Sequence, residues 1–343
     1  MDLKFASEKL LVDDSAEAIN NLFIEKGWSD GLPIIPPTEQ SVEKMMKGTQ
    51  RIPSDVVATI PPCWGEATIE KIAINAVMAG CLPEYMPLII TAVEAMTEEK
   101  FRLAEIQPTT HPVAPLIIVN GPIGKKLNIN SKSGSFGPCW RANATIGRVI
   151  RLVLLNIGGA LPGKTDLSTQ GQPSKYTYCI AENEEDSPWE PLHQEKGFGA
   201  SMSTVTVAAV ENPHNINDTV ATTGEEMLIS ICNGMMTTGS NNILFQEGSP
   251  IIALCPEHAQ TIAADGFSKN DVRSYLYEKS RIPLSRFYKR AIEKYYSGWD
   301  KNALIPLTAH KEDIIIIVVG GPGKHSAYLP AFIPPSITKL ISE

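Results

Sequence analysis

The sequence predicts an α/β chain, with a mixed α+β arrangement as the alternative, built as two related halves. Three observations carry this reading. Apolar strand-like runs alternate with amphipathic helical runs. Two segments echo each other around Pro-Cys-Trp, and two buried-looking strands end in Gly-Pro loops.

The elements follow in order. Residues 1–27 predict a helix, because Ala16, Ile19, Phe23 and Ile24 recur near the helical period. Asp30 to Thr38 predicts an extended crossing, since each proline removes a backbone donor and biases its predecessor away from helix. A short amphipathic helix over 39–47 should follow. Residues 62–83 read PCWGEATIEKIAINAVMAGCLP and residues 138–162 read PCWRANATIGRVIRLVLLNIGGALP. Each reaches Ala-Thr-Ile, continues with one apolar helical face and stops at Gly before Leu-Pro.

The second echo pairs PLIIVNGPIGK at 115–125 with DIIIIVVGGPGK at 313–324. Both read as β-branched strands buried on two faces. Further strands are predicted over 176–180, 202–210 and 249–255, the last followed by Pro256 at a helix start. Helices are predicted over 84–97, 143–158, 256–265, 269–280 and 284–296. Ser268 and Asp271 have capping-box spacing. The implied organisation is a helical and extended arm over 1–60, a first α/β half over 61–175 and a second over 176–343, with a strand exchanged between the halves.

Composition narrows the function. Lys and Arg number 30 against 38 Asp and Glu, a net charge of -8. That field repels phosphate, so nucleic acid and anionic membrane are not expected partners. Apolar runs such as 314–319 fall far short of the roughly 20 residues of a membrane helix. The N-terminus carries early acids and lacks the apolar core of a signal peptide. Six scattered cysteines without a CxxC predict reduced thiols and a cytoplasmic location.

Cys63 and Cys139 are the leading catalytic candidates. Each is expected just before a helix start, where the helix dipole favours the thiolate. Glu66, three residues after Cys63, is placed to move protons. Trp64, Trp140 and Arg141 would line the substrate site. Gly321, Lys324 and His325, in the loop after the last apolar run, would hold a carboxylate, with Asn120 and Gly121 as their counterpart. All of these are expected in one pocket. The six histidines lack metal-site spacing, so no metal ligands are assigned, and no cofactor is named. The acidic run after Cys179, which contains Glu182, Glu184, Glu185 and Asp186, reads as a solvated loop.

The segments PPCWGEATIEKIAINAVMAGCLPEYMP, FGPCWRANATIGRVIRLVLLNIGG and CIAENEEDSPWEPLH resemble a bacterial protein family that brings no assigned activity. That family is associated with thiol and selenol proteins of the UGSC type, which are similar to the glycine and proline reductases. This chain has no UGSC motif, so the resemblance implies at most a partner of such an enzyme.

Together these features predict a small-molecule enzyme using cysteine chemistry, as a lyase, transferase or thiol-dependent reductase, on an anionic, carboxylate-bearing substrate. The alternatives are a metal-dependent hydrolase or hydratase, and a non-catalytic subunit of a thiol or selenol redox enzyme. A protein partner and a homo-oligomer are expected.

Overall fold

Burial on both faces makes the central strands recognisable, and it also dictates the layering. The computed structural model describes residues 4–342. Its strands are β1 (Val56–Ile60), β2 (Gly65–Thr68), β3 (Ala114–Asn120), β4 (Cys179–Ala181), β5 (Thr204–Val210), β6 (His214–Asn217), β7 (Ile251–Leu254), β8 (Ile282–Pro283), β9 (Leu304–Ile305), β10 (Ile315–Val318), β11 (His325–Leu329) and β12 (Ile337–Leu340). β1–β2 and β8–β9 are small antiparallel pairs. The rest form two four-stranded sheets, ordered β12-β5-β3-β4 and β10-β7-β11-β6.

Each sheet is mixed, which fits the predicted α/β class. β3 runs parallel to β4 and antiparallel to β5, which is antiparallel to β12. β7 runs parallel to β10 and antiparallel to β11, which is antiparallel to β6. The two sheets therefore share one pairing pattern. The strand following β5 crosses into the second sheet as β6, and the strand following β11 crosses into the first as β12.

Alternating side chains build four layers. Leu116, Ile118, Ile180, Ala208, Ile251, Ala253, Ile315 and Ile317 meet between the sheets. Ile117, Val119, Val205 and Val207 face outward onto the helices Ile69–Ala79, Met86–Met96 and Arg141–Asn156. On the other side, Ile252, Leu254, Ile316 and Val318 face Gly224–Met235, Pro256–Ala264 and Lys269–Lys279. Helices thus cover both faces of a β-sandwich. Each apolar side chain taken fully out of water contributes about 1.5–3 kcal/mol, which is why these strands are almost wholly aliphatic.

Backbone bonds join the sheets at opposite ends. At one end Glu211 N donates to Pro330 O at 2.8 Å and Phe332 N to Ala209 O at 2.9 Å, where the two exchanged segments cross. At the other, Asn183 N donates to Val318 O at 2.8 Å and Gly320 N to Ser131 O at 2.8 Å, where the carboxyl ends of the parallel pairs meet.

Most helices form where period and caps predicted them, but of the helix expected over 1–27 only Ala16–Glu25 is helical, capped by Ser15; residues 4–15 are extended or irregular, and 1–3 lie outside the described residues. Ser268 and Asp271 do make a reciprocal capping box. The 284–296 stretch is shorter than expected, a 3-10 turn Leu284–Arg286 and then the helix Lys289–Tyr295.

Three expectations need correction. First, the two Pro-Cys-Trp segments adopt different structures. Cys63 and Trp64 form the turn between β1 and β2, and the helix starts only at Ile69, capped by Thr68. In the second copy the helix starts at Arg141, so Ala-Thr-Ile lies inside it. Pairing in the β1–β2 hairpin holds the first copy extended through Thr68 and so delays its helix. Second, β3 shares its role with β7, not with β10. Both are inner strands and both lead into a helix begun by proline, Pro122 and Pro256. Third, the boundary expected near residue 176 does not separate the sheets, because β4, β5 and β12 all pair within the sheet of β3.

Candidate functional site

The residues predicted for one pocket are distributed over several places. Cys63 is exposed, and its N–H donates to Gly158 O at 2.9 Å, just beyond the C-terminal end of Arg141–Asn156. Cys139 is also exposed, two residues before that helix begins. The 16 residues of the helix rise by about 24 Å and hold the two thiols apart. Glu66 is exposed on β2, and its carbonyl accepts from Lys71 Nζ at 2.9 Å. Trp64 and Trp140 are exposed. The Arg141 guanidinium donates twice to Gly80 O, at 3.0 and 2.9 Å, which ties the start of its helix to the end of Ile69–Ala79.

The glycine loop after β10 is already occupied by a carboxylate of the chain itself. Glu257 Oε2 accepts from the backbone N–H of Gly323 and, at 2.8 Å, from that of Lys324. These bonds hold the Glu257 carboxyl below its usual range. Lys324 Nζ reaches Thr219 O at 3.3 Å, and His325 Nδ1 lies 3.0 Å from Asn215 Oδ1. Lys324 and His325 therefore face β6. Gly321 packs instead on Ser133 of the 121–137 loop, where an added Cβ would stand 1.8 Å from Ser133 Oγ.

Asn120 and Gly121 do enter a polar cluster, and its other members come from the run read as solvated. β4 is short, and the chain leaving it turns Glu182 and Asn183 inward. Side-chain alternation explains the direction. Ile118 and Ile180 face the space between the sheets, so Asn120 and Glu182, two residues on, face it too. Thr204 lies directly across from Asn120 in the β3–β5 ladder. Continuing the period-2 pattern of β4 past Ala181 would have pointed Glu182 inward from the sequence alone.

Glu182 Oε2 accepts from Asn120 Nδ2 at 2.6 Å and from Leu192 N at 2.8 Å. Glu184 Oε1 accepts from Gly121 N at 2.7 Å and from the same Asn120 amide at 3.0 Å. His193 is wholly buried, with Nδ1 3.7 Å from Glu184 Oε1. Beside this cluster Lys269 Nζ lies 3.0 Å from Glu195 Oε2, and Arg273 also contacts Glu195. The outer acids differ in kind. Glu185 is exposed and pairs with Lys125 and, at 2.9 Å, with Lys132, which pull its carboxyl down to about 2.

Five buried atoms in this region have no hydrogen-bond partner: Asn120 Oδ1, Glu182 Oε1, both ring nitrogens of His193 and Thr204 Oγ1. A buried polar group left unpaired costs about 1–3 kcal/mol, so their concentration in one place marks a site. Burial pushes the Glu182 carboxyl up, against the opposing effects of the Lys269 charge and of the bonds from Leu192 and Asn120. A carboxyl raised in this way holds its proton to higher pH than a solvated carboxyl does.

Among the described residues no group of three or more His, Cys, Asp or Glu side chains is placed to hold a metal ion. Nor is any helix there long and apolar enough to cross a membrane. A 660 Å³ cavity on the helix side of the first sheet is lined in part by Lys47, Thr49, Pro122, Ile123, Met202 and Ser203, and none of Asn120, Glu182, Glu184 or His193 lines it. Its Pro122–Ile123 and Met202–Ser203 walls adjoin Gly121 and Thr204 in the chain.

No family model, no curated protein and no solved structure matches this chain. Residue roles therefore rest on the geometry.

Proposed function

We propose that this protein is a small-molecule enzyme working by proton transfer. Glu182 is the general acid through its free Oε1, and His193 is the general base. Asn120 holds the carboxyl through Oε2, and Glu184 tethers the Asn120 amide and the Gly121 backbone. The observation that carries this reading is the group of unpaired buried polar atoms around an acid whose pKa burial raises. Acid–base chemistry at a positioned pair contributes about 10²–10⁴-fold in rate.

The test works without a named substrate. Wild type, Glu182→Gln and His193→Asn are each incubated with a deproteinised small-molecule extract, and the pool is followed by mass spectrometry. A compound consumed by wild type should persist at least about 100-fold longer with either variant. Equal consumption by all three folded proteins would remove the proposal.

Cysteine chemistry is the second reading, favoured by one observation. Cys63 and Cys139 are the exposed thiols, and Cys139 has a backbone φ of 88°, a conformation costly for a residue with a side chain. On this reading one thiol acts alone, because the helix between them prevents a joint site. Full consumption of the same compound by Cys139→Ser and by Cys63→Ser would exclude it.

A further inference from the structure

At the opposite end of the sandwich, where the exchanged segments cross, a second cavity opens to the surface. Its volume is 560 Å³, within the usual range of small-molecule sites. It is distinct from the proton-transfer site. Val210 pairs with Ala114 at the start of β3, whereas Asn120 closes that strand. The seven residues between these ends span roughly 20 Å.

Both halves build the cavity. Glu211 follows β5 and Pro330 follows β11, and these two residues are joined by the crossing bond of 2.8 Å. Rigid prolines 112, 213 and 330 and small glycines 171, 234 and 239 shape the wall. Three oxygens define its chemistry. Gln172 Nε2 donates to Val210 O at 3.1 Å, which fixes the amide and leaves Oε1 buried without a partner. Ser240 is buried beside the Tyr328 hydroxyl, which itself donates to Asn242 Oδ1 at 3.3 Å, so the Ser240 Oγ keeps a lone pair for a further donor. Glu211 presents a carboxylate whose Oε1 lies 2.9 Å from His111 Nε2, so its other oxygen is free to take a second donor.

The wall contains no lysine or arginine. An anion would meet the Glu211 carboxylate with no fixed positive charge to offset it, and only the neutral donors of Asn212 and Thr237 and the His214 ring, an unfavourable balance. A group that brings N–H donors and positive charge would satisfy the orphaned oxygens and the carboxylate together. We infer that this cavity binds a small primary alkylammonium ligand, with the ammonium held by Glu211, Gln172 Oε1 and Ser240. Because residues from both halves hold it, such a ligand would also clamp the strand crossing.

Calorimetric titration of the full chain tests this, with putrescine and ethanolamine as probes and succinate as the anionic control. The expected result is saturable binding of at least one amine and none of succinate. Glu211→Gln and Ser240→Ala should each weaken amine binding by about tenfold or more, the loss expected for one hydrogen bond to a charged group. Glu211 also contacts His111, so Ser240→Ala decides the matter if the first variant unfolds by circular dichroism. No saturable amine binding, equal binding of succinate, or unchanged binding in folded Ser240→Ala would each overturn the inference. The last outcome would mean that the amines merely collect on an acidic surface.

Discussion

The two halves bring equivalent strands to the same end of the sandwich and finish them with different chemistry. The bond from Glu182 N to Val119 O ends the β3–β4 pair, and the bond from Val319 N to Leu254 O ends the β7–β10 pair. This correspondence sets Asn120 against Cys255 and Glu182 against Val319. In the first half the positions are polar, buried and incompletely bonded. In the second, Cys255 and Val319 are apolar and buried, and the nearby polar groups are matched. Ser326 Oγ accepts from Cys255 N at 3.0 Å and lies 2.8 Å from His258 Nδ1. His258 Nε2 lies 3.0 Å from the carbonyl of Asp218, which can only accept, so Nε2 carries the proton and Nδ1 accepts from Ser326. One framework thus supports a sealed end and an end with unused hydrogen-bonding capacity. The second arrangement costs stability, and function is the usual reason for retaining such a cost.

The largest expected effect breaks the contrast at the loops that leave the strands. Gly121 has φ +83°, and a Cβ there would stand 2.1 Å from Met202 O, a backbone atom that cannot move aside. Gly121→Ala should lower unfolding stability in urea by at least about 3 kcal/mol. Gly320, at φ +101° with nothing within 4 Å, should lose only about 1–2 kcal/mol on the same change. Equal losses would show that the close approach under Gly121 is not formed.

The next effect separates the halves by pH. Glu182 has a raised pKa in the folded chain, so its folded form keeps a proton that the unfolded form releases near pH ~4.3. Stability is therefore lost as pH rises from there through the folded pKa. Glu182→Gln should melt like wild type at pH 4 and at a higher temperature at pH 8. His258 shifts the opposite way, because burial lowers its pKa. Its contribution is complete above the unfolded value of about 6.5 and is lost as pH falls toward the folded value. Melting temperatures at pH 7.5 and 5.5 should converge in His258→Asn relative to wild type. If both variants shift in the same direction with pH, the contrast between the two ends fails.

Legibility in the sequence divides along the same line. The helix Arg141–Asn156 and strands β3, β7 and β10 announce themselves because their period and apolar content follow directly from burial. β6 and β12 are less legible. Their burial patterns, exposed at three of four positions in β6 and only partial in β12, give little apolar signal, and each is defined by a partner in the other half's sheet. Asn120 and Gly121, members of the polar cluster, were legible through the strand end that carries them. Glu182 and His193 were not, since an acidic run resembles a solvated loop unless the inward alternation of β4 is continued past its last residue. The Pro-Cys-Trp echo misled for a related reason: identical tripeptides take the structure that their tertiary neighbours impose, a hairpin turn in one case and a helix start in the other.

The smallest effect concerns that echo. Cys63 and Cys139 are exposed, whereas Cys81, Cys179, Cys232 and Cys255 are buried. Burial pushes the Cys81 thiol up to about 12 and the Cys232 thiol up to about 11, and it raises Cys179 as well. Thiolate is the reactive form, so these three should resist alkylation in the native state. Brief iodoacetamide treatment followed by peptide mass spectrometry should therefore label Cys63 and Cys139 alone. Their surroundings then predict an order between them. Cys63 Sγ sits against Gly159, where an added Cβ would come within 2.6 Å of the sulfur, and its own N–H is held by Gly158. Cys139 stands instead in a strained exposed turn. It should be labelled faster, by a factor of a few, and Gly159→Ala should alter the rate at Cys63 while leaving that at Cys139 unchanged. A common rate at both thiols, or a Gly159→Ala effect on both, would mean that the two segments share one environment after all.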